Sequence, residues 1–351
     1  MIIAEFYGIM SQEYRNELDK KNNAVINELL NGMPDFIDDY YDHLVARGRS
    51  TTTIKSYLYE VNVFLRFMAT VTKKDSVRDI IVTDLDLIRL PQIEKYIALS
   101  ESGSPLKNTA KRRRLSVIKS IYKYFFATEA ILTNPVIQLE GARLEEKEVI
   151  KLNENQVNAL IECIVNQSGV KEHSKAYSEK LVYRDLAIIM VLLGTGMRVS
   201  ELVGLNINDF DLTTPDMPCF HIIRKGSDED VVYFVPAVRS AVSEYITYTR
   251  PLLADSEDET ALFLSTQHKR MGVSSVEKMV KKYCQAAGLP SNISPHKLRA
   301  TFATTVYKQT KDIYAVKDAL HHKSIDTSKH YIGDKEERKQ AAAAAAGVLF
   351  T

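Results

Sequence analysis

Residues 186–193 read LAIIMVLL, with no polar side chain on any face of the helix they would form. A helix that is apolar all round has to be enclosed by other elements. The segment therefore predicts a helix over Tyr183–Gly194 at the buried centre of a domain. Gly194 and Gly196 are expected to break it and to allow a tight turn that presents Arg198. Glu201 follows one turn later, placed to hold the Arg198 guanidinium bidentately. The bare G-x-G has no strand before it, which argues against a dinucleotide site. No stretch approaches the roughly 18 apolar residues that a membrane span requires. The N-terminus carries Glu5 without a basic flank, so a signal peptide is not expected either.

At 351 residues, 45% of them hydrophobic, the chain exceeds the size at which single cores usually divide, and two domains are expected. Residues 1–33 form a polar extension with weak helical periodicity around Ala24–Leu30, a short extra helix or a loose arm. Residues 34–128 read as four helices. Phe36, Tyr40, Leu44 and Val45 make the first stripe; Ser50 caps a second helix through Ile54, Leu58, Val61, Leu65 and Met68. Two more run at about Gln92–Leu99 and Asn108–Ala127. Residues 129–152, with Asn134-Pro135 and a charged run, form a linker. Residues 153–335 form a second, α+β domain. It opens on a helix capped by Asn153 and includes a hairpin of Cys219–Ile223 and Asp230–Val235 turning at Lys225. Helices near Ala237–Tyr248 and Ser274–Ala287 follow, and a tail, 336–351, contains six consecutive alanines. The expected fold is mainly α.

The net charge of +1 says nothing about partners, so a nucleic-acid surface must come from local segregation of charge. It appears on the fourth helix: Lys107, Lys111, Arg112, Arg113, Arg114, Lys119 and Lys123 stand against one acid, Glu101. Seven like charges repel one another, a cost better tolerated where phosphates neutralise them; a solvated helix face is the alternative. Cys163, Cys219 and Cys284 are far apart and odd in number, which fits neither a disulfide framework nor zinc spacing and suits a reducing cytosol.

The stretch from Ser294 to Ile332 gathers chemistry-bearing residues. Ser294 and Pro295 start a helix on which His296 and Arg299 share a face, with Leu298, Phe302 and Val306 turned inward. A helix through Ile313, Val316 and Leu320 leads to His321-His322, and the run ends at Tyr331. Fixed cations, hydrogen-bond donors and an oxygen nucleophile suit work on phosphate.

The pattern H-x-x-R, then L-x-H, then a tyrosine nine residues on resembles the C-terminal signature of the tyrosine recombinase (phage integrase) family. The block LGTGMRVSELVGL, residues 193–205, resembles the one that holds the family's first catalytic arginine, here Arg198. The resemblance implies an N-terminal core-binding domain and a catalytic domain that clamp double-stranded DNA, working as a homo-tetramer. It leaves room for accessory DNA-bending or directionality proteins. It implies a site-specific recombinase with Tyr331 as nucleophile, Lys225 as proton donor, and Arg198, Arg299, His296 and His322 around the phosphate, with no cofactor and no metal. His321 stands where the family usually carries glycine. The expected location is the cytoplasm, on the nucleoid. A catalytically silent DNA-binding regulator and a type IB topoisomerase are the competing readings. All six positions carry competent residues, which disfavours the first; the four-helix domain disfavours the second.

Overall fold

A computed structural model describes residues 2–142, 150–169, 179–211, 218–223, 229–254, 260–322 and 324–325. It divides into two compact units, residues 15–147 and residues 1–14 with 148–351. Lys225, Tyr331, the linker's charged run over 143–147 and the alanine tail lie outside the described residues.

Residues Ile2–Asn31 form one helix, α1, longer than the sequence suggests. The segment holds a single glycine, Gly8, and no proline, so nothing stops propagation once a helix starts. Its Ile26 is buried, and the Asn22 amide donates to the hydroxyls of Thr51 and Thr52 at 3.0 and 3.1 Å. In the first unit follow α2 (Phe36–Ala46), α3 (Thr51–Thr72), α4 (Leu90–Ala98) and α5 (Asn108–Ala127). Ser50 caps α3 as expected, accepting from the Thr53 amide. The stripe Ile54, Leu58, Val61, Leu65 and Met68 is buried throughout. Buried tyrosines keep their hydroxyls bonded: Tyr40 donates to Ser120 at 2.8 Å and Tyr122 to the Leu85 carbonyl at 3.0 Å.

The second unit is built around α7, Val182–Thr195, preceded by α6 (Glu154–Asn166), which Asn153 caps. Ala187, Ile188, Ile189, Val191 and Leu192 are all 0% exposed, which makes α7 the predicted buried centre. Each large aliphatic among them contributes roughly 1.5–3 kcal/mol relative to an exposed position. At its first turn, Arg184 donates to Asp185 at 2.7 and 2.9 Å, and the Tyr283 hydroxyl donates to the other Asp185 oxygen at 2.9 Å. A short helix, α8 (Val199–Gly204), leads to a three-stranded antiparallel sheet ordered β1 (Phe210–Asp211), β2 (Cys219–Ile223), β3 (Glu229–Tyr233). The sheet contains the two expected strands, the second at Glu229–Tyr233 rather than Asp230–Val235, plus a two-residue strand too short to leave an alternating pattern in the sequence.

The helix expected over Ala237–Tyr248 is instead α9 (Pro236–Glu244), a π turn over Tyr245–Thr249, and α10 (Arg250–Leu253). Pro251 has no amide to donate back and its ring crowds the carbonyl four residues before it, so the helix widens there. The remaining helices are α11 (Val273–Ala286), α12 (Pro295–Thr310) and α13 (Ile313–Leu320). Ser294 occupies the N-cap position of α12 but its side chain makes no capping bond, contrary to expectation. Among the described residues, no helix is long and apolar enough to cross a membrane.

Candidate active site

The turn after α7 places the first arginine. Gly194 does not break the helix; it lies within it, where a Cβ would strike Val238. Gly196 does the breaking, at φ +63°, and a Cβ there would run into the Phe302 ring. Only glycine satisfies both constraints. Arg198 then becomes the N-cap of α8. Glu201 does not grip its guanidinium with both oxygens, as the spacing suggested. One oxygen accepts from Arg198 Nη1 at 2.8 Å, the other from the Arg198 backbone N–H at 2.7 Å. The carboxylate thus fixes both the start of the helix and the arginine side chain.

Helix α12 supplies His296 in its first turn and Arg299 one turn on. Arg299 is 3% exposed. Its Nη1 donates to the Gly196 carbonyl, and its Nη2 to the Leu320 carbonyl at 2.7 Å. One buried guanidinium therefore fastens the Arg198 turn to the last residue of α13, a second duty that no local pattern announces.

His322 lies just beyond that helix end. Burial, then the charges of Arg299, Arg198, His296 and His321, push its pKa down to about 4. His296 is lowered as well, by burial and then by Lys297, Arg299 and Arg198. The Arg299 bonds to the Gly196 and Leu320 carbonyls, with His296 one turn before it on α12, bring the segments of Arg198, His296, Arg299 and His322 together. Both imidazoles are neutral near pH 7, so each offers one N–H donor beside two permanent cations.

His321 closes α13 at φ +50°, the left-handed conformation that glycine adopts freely. A non-glycine residue bears a cost of roughly 1–2 kcal/mol there. Its Nδ1 stands 2.6 Å from Asp230 Oδ2 on β3, the strand that follows Lys225 in sequence. A non-glycine residue at a helix-ending position was the sequence signal for this contact.

The basic stretch of α5 does not present a single face. Arg114 lies 4.5 Å over the Tyr96 ring and donates to the Leu99 carbonyl at 2.7 Å. Arg113 pairs with Glu60 at 3.0 Å and donates to the Ser56 hydroxyl at 3.0 Å. Half-buried Arg114 ties α5 to the end of α4, and Arg113, though exposed, is engaged with α3, whereas Lys107, Arg112 and Lys123 are exposed and Lys111 and Lys119 half-buried. Arg114→Gln is therefore expected to lower the melting temperature, since charged hydrogen bonds contribute about 1.5–3 kcal/mol each. Arg112→Gln with Lys123→Gln should leave the melt unchanged while flattening the slope of log K against log salt by about 0.9 for each phosphate no longer neutralised. An unchanged slope in salt-dependent gel shifts would make that face merely solvated.

A cluster of two arginines and two neutral histidines has the make-up of a phosphoryl-transfer site. The family profile "Phage integrase family" matches residues 150–338, and "Phage integrase, N-terminal SAM-like domain" matches 37–129. Tyrosine recombinase XerC of Caldanaerobacter subterraneus subsp. tengcongensis is 31% identical over 314 residues, covering 85% of this chain and 82% of that protein. Tyrosine recombinase XerS of Streptococcus equi subsp. equi is 27% identical over 346 residues, covering 89% and 96%. Among solved structures, the XerH recombinase in a post-cleavage complex with palindromic difH superposes with a TM-score of 0.67 at 20% identity, covering 98% and 95%. The chain belongs to the phage integrase family. It is a site-specific recombinase of the tyrosine type.

Proposed function

We propose that the cluster of Arg198, His296, Arg299 and His322 binds the scissile phosphate of double-stranded DNA, with Tyr331 as nucleophile and Lys225 as general acid. The observation that supports this reading is that buried Arg299, on the helix that carries His296, bonds both the Gly196 carbonyl two residues before Arg198 and the Leu320 carbonyl two residues before His322. Tyr331 Oη releases its proton to solvent as it attacks phosphorus, the bond from phosphorus to the 5′-oxygen breaks, and Lys225 gives that oxygen its proton. The product is a 3′-phosphotyrosyl bond and a free 5′-hydroxyl. A 5′-hydroxyl from the partner strand then attacks the phosphotyrosine, expels the tyrosine oxygen and reseals the strand. The covalent bond conserves the energy of the original phosphodiester. The arginines neutralise charge that grows on the non-bridging oxygens, and the two imidazoles donate hydrogen bonds to them.

Residues 34–128 act as the core-binding domain and 153–335 as the catalytic domain in this reading, in the cytoplasm and on the nucleoid. A solved XerH structure holds its difH substrate before cleavage, and a lambda integrase tetramer is bound to a Holliday junction. By that likeness this chain works as a homo-tetramer, with its tail, 336–351, docking on a neighbouring subunit and accessory DNA-bending or directionality proteins as further partners. The test is incubation with nicked, end-labelled target DNA from which the cleaved end diffuses away. A protein–DNA adduct that survives denaturation is expected; specific binding with no adduct would mean a silent regulator.

The His321–Asp230 contact has a role here as a tie between the end of α13 and the hairpin that carries Lys225. His321→Asn or Asp230→Asn should slow cleavage several-fold with DNA affinity unchanged. A substrate whose leaving 5′-oxygen is replaced by sulfur needs little protonation, so it should restore the rate in either variant and in Lys225→Ala. Restoration in Lys225→Ala alone would limit the His321–Asp230 contact to a structural part.

A further inference from the structure

On the second unit's sheet, away from the four residues above in sequence, three different ligand types meet. Asp211 ends β1 and pairs directly with Cys219 on β2. Residues opposite each other in an antiparallel pair project to the same face of the sheet, and His221, two residues along β2, joins them. His221 Nε2 is 3.6 Å from Asp211 Oδ2 and 3.9 Å from Cys219 Sγ. One ligand atom from each residue lies within 4.8 Å of the other two. Around a tetrahedral zinc with bonds of about 2.0–2.3 Å, ligand atoms stand roughly 3.3–3.8 Å apart. The three donors need to close by only a few tenths of an ångström to well under 2 Å, within the reach of side-chain rotation.

A second observation stands beside the first. Asp209, in the turn that leads into β1, is 1% exposed, and its Oδ1 has no hydrogen-bond partner among the described residues. Its other oxygen accepts from the Asn206 amide at 2.8 Å. The turn packs on β2, the strand that carries Cys219 and His221. A buried carboxylate oxygen without a donor is costly, and a nearby cation offsets that cost.

We propose that Asp211, Cys219 and His221 form a binding site for a divalent transition-metal ion of the zinc class. The thiolate, imidazole and carboxylate set favours zinc or cobalt over magnesium or calcium, which take oxygen ligands. Three protein ligands leave the fourth tetrahedral position to water. The His221 and Asp211 side chains are 36% and 18% exposed, so an ion reaches the site from solvent, and Cys219 is its most buried ligand. Binding releases the Cys219 proton, and the ion staples a strand of only two residues to its neighbour. The linear sequence conceals this site because Asp211 lies eight residues from Cys219 and the remaining signal, C-x-H along a strand, is short.

The experiment is a titration of the full-length, tag-free, reduced protein with cobalt(II), followed by absorption. One equivalent should give a near-ultraviolet thiolate-to-cobalt charge-transfer band and tetrahedral visible bands, both removed by added zinc. Cys219→Ser should abolish the charge-transfer band. Asp211→Asn and His221→Gln should each weaken cobalt affinity at least tenfold, and Cys163→Ser with Cys284→Ser should leave the spectrum intact. Circular dichroism checks that each variant is folded; should Cys219→Ser fail to fold, the Asp211 and His221 variants decide. Absence of the band at millimolar cobalt, or a band indifferent to Asp211→Asn and His221→Gln, overturns the proposal.

Discussion

Arg299→Lys is expected to reduce single-turnover DNA cleavage by about 10²–10³-fold, as loss of one preorganised transition-state donor does. A conservative change of charge is not conservative here. The guanidinium reaches the Gly196 and Leu320 carbonyls with two different nitrogens, and an ammonium is a single point on a flexible stem. Lysine at 299 has to choose between one carbonyl, the other and the phosphate. The turn bearing Arg198 and the helix end bearing His322 then lose their common fastening, so all three groups go out of register together. The variant should also melt at a lower temperature, because buried carbonyls lose charged partners. Arg198→Lys separates the two duties: its side chain is 46% exposed and tied locally, to Glu201. It should lose a similar amount of cleavage with much less loss of stability. Stopped-time cleavage of nicked substrate beside thermal melts measures both, and near-normal cleavage by Arg299→Lys would mean that charge alone matters.

Much of this fold was legible because its signals are local. The all-apolar run of α7, the stripe of α3 and the caps at Ser50 and Asn153 each rest on residues within a few positions of one another. The two strands of the hairpin were legible for the same reason, through β-branched alternation. What escaped depends on distant partners. Whether Arg113 and Arg114 meet phosphates or hold the bundle depends on Glu60, Ser56, Tyr96 and Leu99, none adjacent in sequence. The same holds for Arg299 and its two carbonyls, and for His321 and Asp230 across the β3 contact. The roles of Gly194 and Gly196 differ for a reason that sequence spacing does not carry: one faces Val238 inside a helix, the other faces Phe302 with a positive φ. The π turn before Pro251 is a middle case, with a legible cause and an illegible form.

Tyr331→Phe is expected to retain DNA affinity and to abolish the covalent adduct altogether. The ring, its volume and its apolar edge remain, and only the nucleophilic oxygen is gone, so a change in binding is not anticipated. Loss should be complete rather than partial, since no positioned donor substitutes for the atom that forms the bond. The other groups fit that assignment: two cations that never deprotonate and two imidazoles held neutral are suited to stabilising a phosphorane, not to attacking one. Gel shifts on an intact target and denaturing gels on a nicked one give the two readings from the same preparation.

The central claim, that Tyr331 becomes joined to a 3′-phosphate beside the cluster of Arg198, His296, Arg299 and His322, is tested most directly by locating the bond. The wild-type protein is trapped on nicked DNA, digested with protease and nuclease, and the nucleotide-bearing peptide is sequenced by mass spectrometry. The account predicts a single modified peptide, carrying its nucleotide through the 3′-phosphate on Tyr331. A nucleotide on another tyrosine or on a serine, or linkage through a 5′-phosphate, would contradict it.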